Sequence, residues 1–291
     1  MLEEYGSPDV LKIQEIEKPA PDETEVLIHV KATSVNYGDL IARNFKSLTR
    51  KQFNMPGLFW VIAKLSFGLN KPKVKILGSE FSGIVDSIGS RVTKFKSGDE
   101  VFGYLGQSMG AYAEYICVPE KAVITQKPAN ISMEEAAVLP YGAIMALGIF
   151  KKANIQPGHK VLINGASGEI GSAAIQIAGD SGAEVTGVCS TPRMEYVKNL
   201  GADRVIDYTV QDFADGDETY DIIFDVLGRS SFKKVKKVLA PDGKYILASF
   251  KMKQLIQMLR TSFSRGQKVI CTIAPGRLED LLAVKALIEQ D

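Results

Sequence analysis

Cysteine is scarce in this chain. Cys117, Cys189 and Cys271 are the three in 291 residues, and no two are close in sequence. An odd, dispersed set argues against a disulfide framework or a cysteine-clustered metal site, and points to a reducing compartment. Histidine is scarcer, with His29 and His159 alone. His29 falls in an alternating strand pattern and His159 in the turn QPGHK, so both read as surface residues rather than ligands. An excess of one charge is also missing, with 35 Lys and Arg against 34 Asp and Glu. That balance argues against a generally basic nucleic-acid or anionic-membrane surface, although local patches survive such averaging. Long hydrophobic runs are absent too. The most apolar stretch, FNMPGLFWVIAKLSFGLNKP, is interrupted by Pro56, Gly57 and Lys64, which leaves no membrane span. No secretory signal is read ahead of the first strand, and no repeat or low-complexity tract is visible. The expected location is cytoplasmic.

What is present changes character along the chain. DVLKIQEIEKPAP, EVLIHVKATSV, ILGSEFSGIVDSIGS, DEVFGYL and GAYAEYICVP are short, β-branched and aromatic, and bounded by Gly, Pro and Asp. They predict an antiparallel barrel or sandwich. After Pro128, SMEEAAVLPYGAIMALGIFKKANI is helical in composition, with Ser132 and Glu135 spaced as a capping box. From there KVLING, EVTGVCS, RVIDY, YDIIFDVLG, GKYILAS and KVICTIA alternate with helical segments, the pattern of βαβ units in a doubly wound parallel sheet.

The stretch VLINGASGEIGSAAIQIA carries the strongest chemical signal. A buried strand, Val161 to Asn164, stops at Gly165-Ala166-Ser167-Gly168-Glu169-Ile170-Gly171, and a helix follows. This G-x-x-G-x-x-G variant fits a dinucleotide turn. Gly165 permits the tight exit, Gly168 lets backbone N–H groups reach a pyrophosphate, and Gly171 lets the helix pack on the sheet. Ala166, Ser167 and Ile170 belong to the same cradle. The alternative is an ordinary strand–helix turn with incidental glycines. The carboxylate of Glu169 must point away from the phosphates or be screened. About twenty residues on, where an Asp or Glu would hold the ribose of NAD, the sequence has Cys189, Ser190, Thr191 and Arg193 instead. Small hydroxyls and a guanidinium suit a 2′-phosphate, so NADPH is the expected cofactor. A solvated Arg at a helix start is the other reading.

These motifs, with GAYAEY, KPANISMEEAAVLP and LGADRVIDY in order, resemble the zinc-free quinone oxidoreductase (zeta-crystallin-like) branch of the medium-chain dehydrogenases/reductases. The resemblance runs over nearly the whole chain. It implies an α/β fold: a Rossmann doubly wound parallel sheet plus a GroES-like antiparallel β-barrel domain, with NADPH in the cleft between them. The expected boundaries are 1–122, with 275–291 returning to it, for the GroES-like domain and 123–274 for the Rossmann domain. By resemblance, Tyr208 and Arg193 flank the 2′-phosphate, Asn36 lines the catalytic cleft, Asp225 to Gly228 face the cofactor, and Ser249 and Phe250 lie near the nicotinamide. Packing or turn roles are the alternative for each. Measured against the family pattern, the chain starts late and stops early at Asp291, so the resemblance leaves closure of the barrel open. Met145 stands where relatives often have Thr.

Zinc-containing relatives use Cys and His or Glu ligands. Here Asn36 and Ser79 occupy two of those positions, and Glu80 alone makes no site, so no metal is expected. Without a Lewis acid, alcohol oxidation is disfavoured. A quinone or α,β-unsaturated carbonyl accepts hydride once positioned, with Asn36, Tyr37 or backbone N–H groups polarising the carbonyl. The expected partner is therefore a small hydrophobic carbonyl or quinone. The segment Phe53 to Leu69 reads as an apolar lip for it; a helix packed on the barrel and a homodimer contact are the alternatives. A nucleotide-binding protein without turnover is the competing function.

Overall fold

The computed structural model describes residues 1–49, 52, 55–273 and 276–290. The chain divides into two units. One comprises Met1–Gln52, Trp60–Ile144 and Gly276–Asp291, and the other Phe53–Phe59 and Met145–Pro275.

The first unit is built on a five-stranded antiparallel sheet in the order β4-β1-β2-β3-β5. Its strands are β1 (Glu25–Thr33), β2 (Glu80–Ile88), β3 (Glu100–Tyr104), β4 (Tyr115–Pro119) and β5 (Val123–Gln126). Alternation turns Val26, Ile28, Phe81, Val85, Val101, Ile116, Val118 and Ile124 into one buried cluster. The strand expected over DVLKIQEIEKPAP does not form. Pro8–Val10 make a 3-10 turn, only an isolated bridge joins Leu2 to Leu11, and Ile13 and Ile16 are exposed. Alternating apolar residues make a strand only where a neighbouring strand receives them, and among the described residues no strand pairs with this segment.

Helices α1 (Tyr37–Arg43) and α3 (Met133–Ala137) lie in this unit, α4 (Pro140–Ala153) begins in it, and α2 (Gly57–Phe67) begins in the second unit and ends in this one. Ser132 and Glu135 form the capping box of α3, with Glu135 N–H donating to Ser132 Oγ at 3.1 Å and Ser132 N–H to Glu135 Oε2 at 2.8 Å. The single helix expected here is interrupted before Pro140, which opens α4 at a position where its missing N–H costs nothing. The boundary expected at 122/123 lies instead inside α4, between Ile144 and Met145. The cause is that β5 pairs with β3, and α3 packs on β1 and β2.

The second unit contains β6 (Lys160–Asn164), α5 (Glu169–Asp180), β7 (Glu184–Cys189), α6 (Met194–Asn199), β8 (Arg204–Asp207), β9 (Tyr220–Asp225), α7 (Phe232–Val235), β10 (Leu239–Leu247), α8 (Met252–Ser262) and β11 (Lys268–Cys271). Its six strands are all parallel, in the order β11-β10-β9-β6-β7-β8. That is the Rossmann order, and it places the topological switch between β6 and β9, where ligands bind at the carboxyl ends of strands. Leu162, Val188, Ile223, Tyr245, Leu247 and Val269 form its core. The last helix, α9 (Leu278–Ile288), lies in the first unit and packs on β5, with Asn130 Nδ2 donating to Ile288 O at 2.7 Å. Among the described residues no helix is long and apolar enough to cross a membrane.

At the amino ends of the parallel strands, Glu218 bridges Lys160 at the start of β6 and Arg204 at the start of β8. Hydrogen bonds from these two cations hold its carboxyl below the ordinary value of 4.5. A depressed carboxylate stabilises the fold above its unfolded pKa, and the contribution disappears as pH falls through the folded pKa. Glu218→Gln is therefore expected to lower the melting temperature at neutral pH, with the gap to wild type closing below pH 4.5. A gap independent of pH in thermal melts would assign the loss to packing instead.

Candidate functional site

Gly165 leaves β6 with φ of +97°, a conformation that suits glycine. At Gly171 the constraint is space. A β-carbon there would stand 2.1 Å from Gly165 O and 2.8 Å from Ala166 Cα, so α5 meets the strand end backbone to backbone. Gly168 differs. It is the N-cap of α5 with ordinary extended dihedrals, and an added β-carbon would meet only Gly165 O, at 3.6 Å. The protein itself does not demand glycine at 168, so the space above it is a cradle left open. The first bond of the helix runs from Ser172 N–H to Gly168 O at 2.8 Å. The N–H groups of 169–171 therefore project from the helix end beside Ala166, Ser167 and Ile170, the geometry that takes a phosphate. This arrangement fits a pyridine dinucleotide. Glu169, at the first helical position, is half-buried.

The corner after β7 is more acidic than the sequence suggests. Ser190 caps a 3-10 turn, Thr191–Arg193, and Arg193 is exposed and without an ion pair among the described residues. Thr191 Oγ donates to Asp207 Oδ2, and Asp207 Oδ1 accepts from Thr209 N at 2.8 Å and Thr209 Oγ at 2.7 Å. These bonds, first the one from Thr191, hold the Asp207 carboxyl low and ionised. No acidic residue ends β7, but register places Asp207 of β8 beside Cys189. Thr191 thus commits its proton to Asp207, a carboxylate that sequence spacing alone does not place at this corner. Tyr208 donates its N–H to Cys189 O at 3.0 Å and leaves its ring exposed.

Beside the glycine turn, Asp225 is fully buried at the end of β9. Its Oδ1 accepts from Asn164 Nδ2 and Gly228 N, both at 3.0 Å, and its Oδ2 from Ser230 N at 2.8 Å and Tyr245 Oη at 2.9 Å. Burial first, then the Asp225 charge, pushes the Tyr245 phenol far up, so it stays a donor. Asn164, Ser230 and Tyr245 escape sequence reasoning; the Asn at a strand end just before the glycine turn was the available signal. Gly228, at φ +61°, directs its N–H to Asp225. Ser249 is half-buried, and Phe250 is packed in the core.

In the antiparallel unit, Asn36 is the buried N-cap of α1. Its Oδ1 accepts from Gly38 N at 2.9 Å and Asp39 N at 3.3 Å, and its Nδ2 donates to Ser79 Oγ at 2.6 Å and Glu80 Oε1 at 3.4 Å. Both lone pairs and both protons of the amide are engaged. Glu80, with no exposed surface, also accepts from Ser34 Oγ and from Tyr141 N at 2.9 Å. Asp39 completes the box, accepting from Asn36 N at 3.1 Å and Gly78 N at 3.0 Å; burial raises its pKa while these bonds oppose the rise. Tyr37, next to the cap, is exposed. The three positions that would carry catalytic zinc ligands thus do converge, but as an amide, a hydroxyl and one carboxylate already bonded together. Zinc takes thiolate, imidazole and carboxylate, so this set does not fit it. Among the described residues no three His, Cys, Asp or Glu side chains group as a metal site.

Residues 22–129 match the alcohol dehydrogenase GroES-like domain, and residues 170–288 match the domain described as zinc-binding dehydrogenase. The chain is 32% identical over 256 residues to a 2-methylene-furan-3-one reductase of Solanum lycopersicum, covering 84% of this chain and 60% of that protein. It is 31% identical over 253 residues to a chloroplastic NADPH-dependent alkenal/one oxidoreductase of Arabidopsis thaliana, with the same two coverages of 84% and 60%. The chain thus spans 60% of the length of each of these two relatives. Among solved structures, the quinone oxidoreductase of Coxiella burnetii superposes with a TM-score of 0.82 at 28% identity, over 100% of this chain and 86% of that one. The CurK enoyl reductase superposes with a TM-score of 0.80 at 26% identity, over 99% and 86%.

The two helix-end glycines separate fold from ligand. Gly171→Ala is expected to destabilise the protein by about 1–3 kcal/mol, because the strand end has no room to move. Gly168→Val should leave the melting temperature close to wild type and weaken NADPH binding. Thermal melts and fluorescence titration of both variants check this; unchanged NADPH affinity in Gly168→Val would contradict the phosphate site.

Proposed function

The chain belongs to the medium-chain dehydrogenase/reductase family, and we propose that it uses NADPH to reduce a quinone or an α,β-unsaturated carbonyl without a metal. The observation that carries the reading is the open space over Gly168 at the amino end of α5, beside the switch point of a Rossmann sheet. Similarity to an alkenal/one oxidoreductase, a furanone reductase and a quinone oxidoreductase supports the substrate class.

NADPH, when bound, supplies the hydride. The N–H groups at the start of α5 would hold the pyrophosphate, with Gly165, Ala166, Ser167 and Ile170 shaping the turn. Ser190 and Arg193 would bind the 2′-phosphate, whereas the Thr191 hydroxyl, whose proton goes to Asp207, would line the corner without donating to the phosphate. Tyr208 flanks the adenosine end. Gly228, held by Asp225, would line the nicotinamide end together with Ser249, with Phe250 packed in the core behind them. In the antiparallel unit, the engaged amide of Asn36 makes it a positioning residue: it fixes the first turn of α1 and so presents Tyr37, the proposed donor to the substrate carbonyl. The outward apolar side chains of α2, Leu58, Val61, Ile62 and Leu65, are the proposed lip. Three free cysteines accord with a cytoplasmic, reducing setting.

The expected activity is loss of NADPH absorbance with 1,4-quinones or conjugated enones and little oxidation of simple alcohols. Robust ethanol or butanol oxidation with no quinone or enone turnover would overturn it. A nucleotide-binding protein without turnover would bind NADPH and reduce nothing in the panel.

Cofactor choice is expected to rest on Arg193. A hydrogen bond to a charged group contributes about 1.5–3 kcal/mol, so Arg193→Ala should weaken NADPH binding about 10- to 100-fold. NADH lacks the phosphate and should bind almost as before. Equal losses for both cofactors in paired titrations would mean that Arg193 acts through the fold.

A further inference from the structure

The balanced total charge conceals one uneven region. Residues 229–278 carry 12 Lys and Arg and a single acidic residue, Asp242. Within this region α8 presents two separate apolar faces. Leu255 and Met258 pack inward on the core of the parallel sheet. Met252, Ile256, Leu259 and Phe263 face away, with 53%, 45%, 61% and 86% of their surface exposed. Their spacing of four, three and four residues puts them on one stripe of the helix. Lys253 and Arg260, seven residues apart, lie alongside that stripe, and Lys251 and Arg265 flank the helix ends. All four cations are exposed, and none forms an ion pair among the described residues. Lys268 is the exception in its use, since its Nζ donates to the final carbonyls of the helix, at 2.7 Å for Thr261 O.

We infer that α8 docks this protein on an anionic lipid surface, with Met252, Ile256, Leu259 and Phe263 entering the acyl boundary and Lys251, Lys253, Arg260 and Arg265 meeting the headgroups. The charge decides between occupants. A second copy of the same face would bring cations against cations, which costs energy. Nucleic acid would use the cations and leave an exposed apolar stripe without a partner. A lipid surface satisfies both halves: the stripe is buried, and the long Lys and Arg stems reach back to the phosphates. Ion pairing with the leaflet also explains why no acidic side chain among the described residues neutralises these cations. The inference does not depend on the reaction catalysed.

The test is co-sedimentation of the full chain with vesicles of phosphatidylcholine alone or containing phosphatidylserine. Sedimentation is expected with phosphatidylserine only, and it should weaken as salt is raised. Lys253→Glu/Arg260→Glu should reduce the partition coefficient by roughly 5-fold or more for each cation lost. Leu259→Ser/Phe263→Ser should abolish binding at unchanged melting temperature, because both side chains are exposed. Equal sedimentation with both vesicle types, or none with either, would overturn the inference. So would unchanged sedimentation of the Leu259→Ser/Phe263→Ser variant. An oligomer that this variant dissociates, without vesicle binding by the wild type, would make the stripe a self-contact. Binding to an RNA or DNA oligonucleotide but not to vesicles would likewise overturn it.

Discussion

A β-carbon on Gly171 would stand 2.1 Å from the carbonyl oxygen of Gly165, so the first turn of α5 reaches the end of β6 only because no side chain intervenes. That contact sets the rest of the nucleotide unit. It brings the amino end of the helix, with the N–H groups of its first turn, to the carboxyl edge of the sheet between β6 and β9. On the other side of the switch point, the buried Asp225 gathers Asn164, Gly228, Ser230 and Tyr245. Four donors on one carboxylate tie the ends of β6 and β9 to β10 and fix the loop that follows. Both sides of the proposed cofactor site are thus held before any ligand arrives, which lowers the ordering cost of binding.

The antiparallel unit solves a different problem, a carboxylate with no exposed surface. Glu80 is surrounded by donors from Ser34, Asn36 and Tyr141. The side chains at the positions of metal ligands are consumed in this arrangement and in capping α1. A buried carboxylate that lost Asn36 would lose a donor, and α1 would lose its cap. Asn36 is therefore fixed by two independent demands, neither of which involves a reacting atom.

Local chemistry made much of this legible. The glycine turn, the strand–helix alternation and the Ser132–Glu135 cap each rest on residues within one short window, and the structure builds them where the pattern places them. Features that depend on neighbours far along the chain were not legible. The segment around Ile13 has a strand's alternation but no partner strand. β5 is too short to signal itself, yet its pairing with β3 carries residues 123–144 into the antiparallel unit. Asp207 reaches the corner beside Thr191 through the register of β8 on β7, 16 residues away in sequence. The charge of residues 229–278 vanished in a whole-chain sum, and the outward stripe of α8 is visible only once Leu255 and Met258 are known to point inward.

Backbone amide exchange tests most directly whether the two sides of the nucleotide unit hold a phosphorylated dinucleotide. Exchange would be followed by mass spectrometry or NMR in the free protein and with saturating NADPH or NADH. The amides of 169–171 should slow with either cofactor, since both carry the pyrophosphate. Those of Ser190, Thr191 and Arg193 should slow further with NADPH, which alone carries the 2′-phosphate. NADPH that binds while leaving the amides of 169–171 exchanging at their free rate would contradict the assignment of the glycine turn.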